Sequence, residues 1–561
     1  MFSRLTNRRE LMATVAGFAA AAAINPFPSI VPAMAQDASP TPNLPEKADS
    51  QVLRWIGPGT TRLAQFVYDS FWARMSQNVY MTPFVQQKDG SITPGICSDY
   101  TVSDDLLTYT FTMNPDSVWS DGTKVTSHDI KYSWEWMANI TVSENIYNYY
   151  QTQSVVGNPD VVAGTATEMS GLVALDDNTL QITLSEPYTP FIYYCTHCLM
   201  GVHQKANIEQ GGPDWDKSPT VASGPFKVER FDINTGGLVL VQNEHWWGTK
   251  PQIERIELNP ISDGGTASLA WTNDECEVWA SGGTSDFYRQ FGVSEVITRP
   301  GPTAAFFRLN TSVAPLDDEH LRRALQRASD INTVTSVVWG DYVAPVSLFF
   351  EPGGLPADKK NYLFPATGIS FPTDPAYKER QPLFDIDAAK AELAQSKYAN
   401  GEVPSVLFVV ASGDYVKAAT VLQQMWQDAL GVKSEVVPAD QATAEQNAAA
   451  AITVGANNVL YDGPGGLLSW GWHKDNYHME AVHAADDDIE SLLNQGDSIP
   501  FDQVTDRAAA YAQAEDLILE RGYAIPWWWG GFPMCVKSRI VNASMNSSSI
   551  FDVTTTYIAK Q

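Results

Sequence analysis

The chain contains 561 residues, of which 44% are hydrophobic and 18% charged, and its formal net charge is −29 at pH 7. Because a single hydrophobic core stops growing near about 250 to 300 residues, this length predicts two or three domains. The negative charge repels nucleic acids and anionic membranes, so the composition argues against both classes of partner.

Residues 1–35 are predicted to be a cleaved export signal that does not belong to the fold. Arg8 and Arg9 precede an Ala-rich apolar run, and the small residues around Met34 suit a signal-peptidase site. The apolar run is too short to span a membrane as a helix, which requires about 20 residues. The arginine pair resembles a twin-arginine signal, and no Cys at the cleavage site could carry a lipid. We therefore expect a periplasmic or extracellular protein whose residues 36–50 form a flexible leader.

Residues 89–136 predict a strand, a Gly turn and a capped helix. Residues 108–113 alternate polar and apolar side chains, as does a strand with one buried face. Thr126 is predicted to cap a helix that begins at Ser127, and Asp129 places a negative charge in the positive first turn of that helix.

Antiparallel strands are predicted for the middle of the chain. Residues 172–184 have the pattern of two strands joined by an acidic turn. Residues 226–228 and 238–241 are predicted to pair across a Gly-containing turn, and residues 253–258 to continue the same sheet.

Helices dominate the second half of the prediction. They are placed at 316–328, from residue 385 or 387 onward, at 418–430 before a strand at 432–437, and at 504–521 before a strand that contains 524–529. Gly431 and Gly522 follow the last two helices, where a glycine commonly ends a helix. The mixture of helices and strands predicts an α/β fold.

The five cysteines leave disulfide pairing open. An oxidising compartment permits a disulfide, but an odd number leaves at least one thiol unpaired. The Cys195-Thr196-His197-Cys198 segment has no second pair at the spacing of a zinc site, and Leu199 stands where haem attachment requires His. We therefore predict neither a metal nor another cofactor.

Six segments in this order resemble landmarks of the extracytoplasmic solute-binding proteins that serve ABC importers of peptides, nickel and oligosaccharides. They are 89–136, 171–191, 223–226, 247–248, 316–330 and 507–526. The resemblance implies a two-lobed clamp of the type II class with an extra domain on the first lobe. It also implies that a ligand touching both lobes stabilises the closed form, which then docks on a permease.

The same resemblance predicts how the chain is divided between the lobes. Lobe one is expected to consist of 51–80, 218–299 and 523–561, with 81–217 as the extra domain. Lobe two is expected to span 300–522, with two chain crossings that form a hinge.

Asp475 is the leading candidate for a ligand contact. Peptide-binding members of the family place an aspartate just beyond a Trp to pair with the α-ammonium group of the ligand, and Trp472 precedes Asp475 at that spacing. Asp462 is the alternative aspartate. A third possibility is that Asp475 only caps a surface turn.

Aromatic side chains form the second group of candidates, since they could clamp peptide side chains or stack on sugar rings. For each of them, ordinary core packing is the competing explanation. The predicted ligand-binding aromatics are Trp470, Trp472, Trp527, Trp528, Trp529, Tyr147, Tyr149 and Tyr150.

The sequence favours a binding protein over an enzyme. It has no metalloprotease, nucleophile-elbow, dinucleotide-binding or phosphate-loop motif. A secreted hydrolase remains an alternative because a glycosidase needs only two facing carboxylates. Within the binding class, peptide is the first ligand and oligosaccharide the second, the expected partners are ABC permease subunits, and the protein is expected to be a monomer. A sensor role would use the same clamp.

Overall fold

The computed structural model describes most of the chain beyond the predicted signal and leader. The described residues are 44–64, 75–87, 91–139, 152–279, 296–298, 303–339, 344–345, 384–411, 413–439, 441–458, 468–469, 471–474, 476–500, 503–530, 533–545 and 550–560.

The described strands are numbered in chain order. They are β1 (Val52–Gly57), β2 (Phe84–Gln86), β3 (Ile92–Pro94), β4 (Cys97–Val102), β5 (Thr108–Met113), β6 (Leu172–Asp176), β7 (Thr179–Thr183), β8 (Phe226–Asp232), β9 (Gly237–Gln242), β10 (Arg255–Pro260), β11 (Val278–Trp279), β12 (Val296–Thr298), β13 (Thr303–Leu309), β14 (Ala344–Pro345), β15 (Val406–Val410), β16 (Ser434–Pro438), β17 (Ile452–Asn458), β18 (Ala524–Gly530), β19 (Pro533–Val536), β20 (Ile540–Val541) and β21 (Tyr557–Ile558).

The α-helices are numbered in the same way. They are α1 (Ser127–Ala138), α2 (Asn158–Val162), α3 (Phe191–Tyr194), α4 (Lys205–Gly211), α5 (Gly264–Thr272), α6 (Glu319–Arg327), α7 (Ile331–Trp339), α8 (Ile386–Leu393), α9 (Asp414–Leu430), α10 (Gln441–Gln446), α11 (Tyr477–Ala481), α12 (Asp487–Ser498) and α13 (Val504–Glu520).

Three sheets organise these elements. A seven-stranded sheet has the order β12-β19-β11-β1-β10-β9-β8, and a six-stranded sheet the order β14-β18-β13-β17-β15-β16. A four-stranded sheet has the order β4-β5-β7-β6, and two further pairs of strands are β2-β3 and β20-β21. The predicted mixture of helices and strands is therefore confirmed.

The four-stranded sheet and α1 form where local sequence signals predicted them. Strand β5 spans the predicted residues, and β6 and β7 make the predicted antiparallel hairpin. Helix α1 begins at Ser127, as predicted. The backbone N–H and the hydroxyl of Thr126 both donate to Oδ2 of Asp129 at 2.9 Å. Ile130 and Trp134 bury the opposite face of the helix against the sheet.

The chain passes between the two larger sheets at two places. It leaves the seven-stranded sheet after β12 and enters the six-stranded sheet at β13, then returns between β18 and β19. Strand β18 pairs with β13 along most of its length. The prediction that residues 523–561 all belong to lobe one is therefore wrong for β18, which lies in the sheet of the predicted second lobe.

A shared core lies where the two larger sheets meet. The cluster contains Ile56, Trp279 and Cys535 from the seven-stranded sheet, and Phe307 and Trp527 from the six-stranded sheet. All five side chains are at least 95% buried. Apolar contact therefore continues from one sheet to the other.

Residues from the two ends of the described chain lie side by side. Lys47 forms an isolated β-bridge with Ala559. The side chain of Gln51 donates to the carbonyl of Ile558 at 2.9 Å, and the Tyr557 hydroxyl donates to the carbonyl of Pro45 at 2.8 Å. Strand β19, from the same late region, lies between β11 and β12.

Candidate ligand-binding site

Only part of the predicted ligand site falls on described residues. Trp472 and Trp527 are described completely, whereas Trp528 and Trp529 are described only as backbone positions of β18. The other predicted contacts lie outside the described residues. They are Asp475, Asp462, Trp470, Tyr147, Tyr149 and Tyr150.

Trp472 and Trp527 are core residues. Neither side chain has any exposed surface. Trp472 packs against Phe306, with 5.6 Å between ring centroids, and Trp527 stacks on Phe307 at 5.5 Å. Core packing, the competing explanation for each aromatic, is what the structure shows for both indoles. Their contact with the ligand stays a prediction.

The segment next to Trp472 is held by an ion cluster that the sequence analysis missed. Nδ1 of His473 lies 3.1 Å from Oε2 of Glu490, and Nε2 lies 2.8 Å from Oδ2 of Asp497. The backbone N–H of Lys474 donates to the same Glu490 oxygen at 2.9 Å. Both carboxylates belong to α12. The residues directly before Asp475 are thus attached to this helix.

The electrostatics favour a charged imidazole. Burial opposes protonation of His473, but the hydrogen bonds that its ring donates to Asp497 and Glu490 outweigh it and raise the pKa of His473 to about 10. Burial would raise the pKa of Glu490, yet the hydrogen bond and charge of His473 lower that pKa to about 2. His473 and Glu490 are therefore both charged at neutral pH. We call His473, Glu490 and Asp497 the ion triad.

The ion triad predicts a pH window for stability. The raised pKa of His473 gives a contribution that is complete below its ordinary value of 6.5 and is lost as pH rises towards 10. The lowered pKa of Glu490 gives a contribution that is complete above 4.5 and is lost as pH falls towards 2. The difference in Tm between wild type and His473→Gln should be largest from pH 4.5 to 6.5. Calorimetry across pH would contradict this if the difference were constant.

Residues near the four-stranded sheet contact the segments around the ion triad. The hydroxyls of Tyr188 and Ser469 lie 3.0 Å apart. The backbone N–H of Thr189 donates to the carbonyl of Asp497 at 2.9 Å, and its hydroxyl lies 3.0 Å from that carbonyl and 3.1 Å from the carbonyl of Ile499. We call these hydrogen bonds of Tyr188 and Thr189 the cross-lobe contact, because they join residues predicted for the extra domain of lobe one to residues predicted for lobe two. It joins residues about 300 positions apart, so no local pattern could have predicted it.

A buried arginine lies in β13, close to α11. The side chain of Arg308 donates to the hydroxyl of Thr453 at 3.2 Å and to the carbonyl of Val454 at 2.7 Å. Its guanidinium carbon lies 4.9 Å from the ring centroid of Tyr477. Burial, together with the positive charge of Arg308, lowers the pKa of His478, which favours the neutral imidazole there. Arg308 was also missed, because a single Arg in a strand pattern carries no local signal of burial.

All five cysteines are buried free thiols, so the disulfide that the sequence permitted is not formed. Burial raises the pKa of Cys195. Among the described residues, no three His, Cys, Asp or Glu side chains are grouped as metal ligands. No helix in the described ranges has both the length and the apolar character required to cross a bilayer.

Comparison with known proteins identifies the family. A family model described as "Bacterial extracellular solute-binding proteins, family 5 Middle" matches residues 91–480. The periplasmic oligopeptide-binding protein OppA of Salmonella typhimurium is 25% identical over 368 residues, covering 64% of this chain and 65% of the relative. The periplasmic murein peptide-binding protein MppA of Escherichia coli is 24% identical over 354 residues, covering 62% of this chain and 63% of the relative. The matched region thus spans less than two thirds of either relative.

Solved structures show the same fold. The murein tripeptide binding protein MppA of Escherichia coli superposes with a TM-score of 0.75 at 20% identity, covering 92% of this chain and 100% of that one. Haemophilus influenzae OppA in complex with RPPGFSPFR superposes with a TM-score of 0.73 at 17% identity, again covering 92% and 100%. The predicted two-lobed α/β clamp is confirmed. Since the family model covers most of its length, the chain belongs to the bacterial extracellular solute-binding proteins of family 5.

Proposed function

We propose that this protein captures a small peptide between its two lobes and delivers it to the permease of an ABC importer. The observation that carries this proposal is the family match, together with relatives whose names specify peptide ligands. Those relatives include oligopeptide-binding, murein peptide-binding, dipeptide-binding and glutathione-binding proteins. The peptide is the ligand class that they share.

The proposed anchor of the peptide is Asp475, whose carboxylate would pair with the α-ammonium group. This role is supported by the Trp-x-x-Asp spacing from Trp472 and by the ion triad that fixes the preceding backbone. A pre-positioned carboxylate loses less conformational entropy on binding, which favours affinity. Trp470, Trp528, Trp529, Tyr147, Tyr149, Tyr150 and the alternative aspartate Asp462 stay proposed contacts.

The proposed division of the chain follows the sheets. Lobe one comprises 51–80, 218–299 and the part after β18, with 81–217 as the extra domain. Lobe two runs from residue 300 through β18. The paired crossings between the larger sheets are the proposed hinge, because they are the points where one lobe can rotate against the other.

The protein is further proposed to act outside the cytoplasm as a monomer without catalytic activity. Export through the twin-arginine route is supported by the Arg8-Arg9 pair. The large negative charge supports a freely soluble carrier, since it discourages adhesion to anionic surfaces.

Ligand capture can be tested on the exported protein. Native mass spectrometry of the purified chain should show a bound mass in the peptide range, released by unfolding. Added Ala-Ala-Ala should raise Tm, by an amount that corresponds to about 2.7 kcal/mol at 100 times the Kd. Maltotriose serves as the matched control for an oligosaccharide ligand. Stabilisation by maltotriose alone, or conversion of the added peptide into product, would overturn the proposal.

A further inference from the structure

We propose that His473 is a positioning residue that couples peptide capture to the cross-lobe contact. The inference rests on the proposed function, because it takes Asp475 as the peptide anchor. His473 lies between two carboxylates of α12. One carboxylate also binds the segment that precedes Asp475, and the other belongs to the residue whose carbonyl accepts the cross-lobe hydrogen bond. We call these two places the first end and the second end.

The first end is the segment that carries the proposed anchor. Oε2 of Glu490 accepts from Nδ1 of His473 at 3.1 Å and from the backbone N–H of Lys474 at 2.9 Å. Lys474 directly precedes Asp475 in the chain. The backbone at Lys474 is thus held to α12 by His473 and Glu490 together.

The second end is the cross-lobe contact. Oδ2 of Asp497 lies 2.8 Å from Nε2 of His473, and Oδ1 accepts from the hydroxyl of Tyr511 at 2.5 Å. The carbonyl of this same Asp497 receives the N–H of Thr189 at 2.9 Å. The last carbonyls of a helix have no partner within the helix, so Thr189 satisfies one that α12 leaves open.

The low exposure of the triad makes it stiff. The side chain of His473 is 15% exposed and that of Asp497 is 4% exposed. Removing the imidazolium would leave two carboxylates facing each other without a cation, and such an unpaired buried charge is strongly unfavourable. We therefore expect loss of the ring to affect both ends, since it contacts both carboxylates.

The test is a double-mutant cycle with His473→Gln and Thr189→Val, read as the Kd for Ala-Ala-Ala and as Tm. Each single variant should weaken peptide binding about 10-fold, as expected when one charge-assisted or buried hydrogen bond is lost. The double variant should bind about as weakly as the weaker single variant, because the two residues act on one element. His320→Gln is the matched control, since Nδ1 of His320 also lies 2.8 Å from a carboxylate, that of Glu392.

Hydrogen exchange distinguishes a local effect of His473→Gln on the cross-lobe contact from a general loss of stability. His473→Gln should speed exchange of the Thr189 amide at least about 10-fold while amides in β5 keep their protection. His320→Gln should leave the Thr189 amide unchanged. The coupling would be overturned if the changes in Kd and Tm of the two single variants added up in the double variant. It would also be overturned if the exchange rate of the Thr189 amide were unchanged in His473→Gln.

The same experiment separates this inference from the proposed function. If wild type binds no peptide, the peptide proposal fails. The double-mutant cycle measured by Tm and the hydrogen exchange of the Thr189 amide still decide whether His473 couples the segment before Asp475 to the cross-lobe contact. If Thr189→Val alone shifts Tm and peptide affinity but His473→Gln moves neither, the cross-lobe contact stands and His473 has no positioning role.

Discussion

Trp527→Ala is expected to lose about 3 to 5 kcal/mol of unfolding free energy, the range observed when a fully buried Trp is truncated. The indole has no exposed surface and stacks on Phe307, with Tyr415 edge-on at 5.7 Å between centroids. Its position in the core shared by the two larger sheets makes the resulting cavity difficult to refill. Urea unfolding monitored by circular dichroism would measure the loss.

The informative comparison is peptide affinity. Because Trp527 is fully buried and stacks on Phe307, the folded fraction of Trp527→Ala should bind Ala-Ala-Ala with an affinity close to that of wild type. Trp246→Ala is the control, since Trp246 is partly exposed and its indole N–H donates to the carbonyl of Thr249 at 3.0 Å. Trp246→Ala should lose markedly less unfolding free energy than Trp527→Ala. A Trp527→Ala protein of normal stability that no longer bound peptide would restore the ligand-contact interpretation.

Asp475→Ala is expected to weaken binding of Ala-Ala-Ala at least about 30-fold. Removing one partner of a buried, hydrogen-bonded charge pair costs about 2 to 5 kcal/mol, because the remaining charge is desolvated without compensation. The unfolding free energy of the ligand-free protein should change little, since the proposed partner of the carboxylate is the ligand. Isothermal titration calorimetry would give both affinity and enthalpy.

Measuring the affinity of wild type and Asp475→Ala for free and for N-acetylated Ala-Ala-Ala tests this prediction as a thermodynamic cycle. The acetyl group removes the ammonium charge, so wild type should bind the modified peptide as weakly as Asp475→Ala binds the free one. Asp475→Ala should not distinguish the two peptides. Asp462→Ala tests the alternative aspartate with the same pair of ligands. Equal affinity of wild type and Asp475→Ala for the free peptide would exclude Asp475 as the anchor.

The boundaries of strands and helices were predicted to within a few residues where they are set by neighbouring residues in the sequence. Strand β5 and the start of α1 are fixed by alternation and by the Thr126 cap, which act within a few residues. Helix α6 was predicted to begin at residue 316, but Asp318 caps it by accepting the backbone N–H of Leu321 at 2.8 Å. The prediction included residues 316–318 because acidic residues favour the first turn and the cap alike.

Features that depend on distant residues were missed. Strand β18 was assigned to the wrong lobe because its partner β13 lies more than 200 positions earlier. The alternation of side chains predicts a strand, but it does not predict which other strand it pairs with. For Trp472 and Trp527 the sequence left ligand contact and core packing both open, because an indole suits either environment. The ion triad joins residues 17 and 24 positions apart, with helix α11 between them, which exceeds any helical spacing.

The position of β19 determines when the seven-stranded sheet can be completed during synthesis. Strand β1 is made first, but β11 and β12 are separated in the sheet until β19 is inserted between them, after the whole six-stranded sheet has been translated. The bridge between Lys47 and Ala559 adds a still later requirement. The seven-stranded sheet can therefore be completed only after β19 has been synthesised, and until then β11 and β12 present unpaired edges that need protection from aggregation.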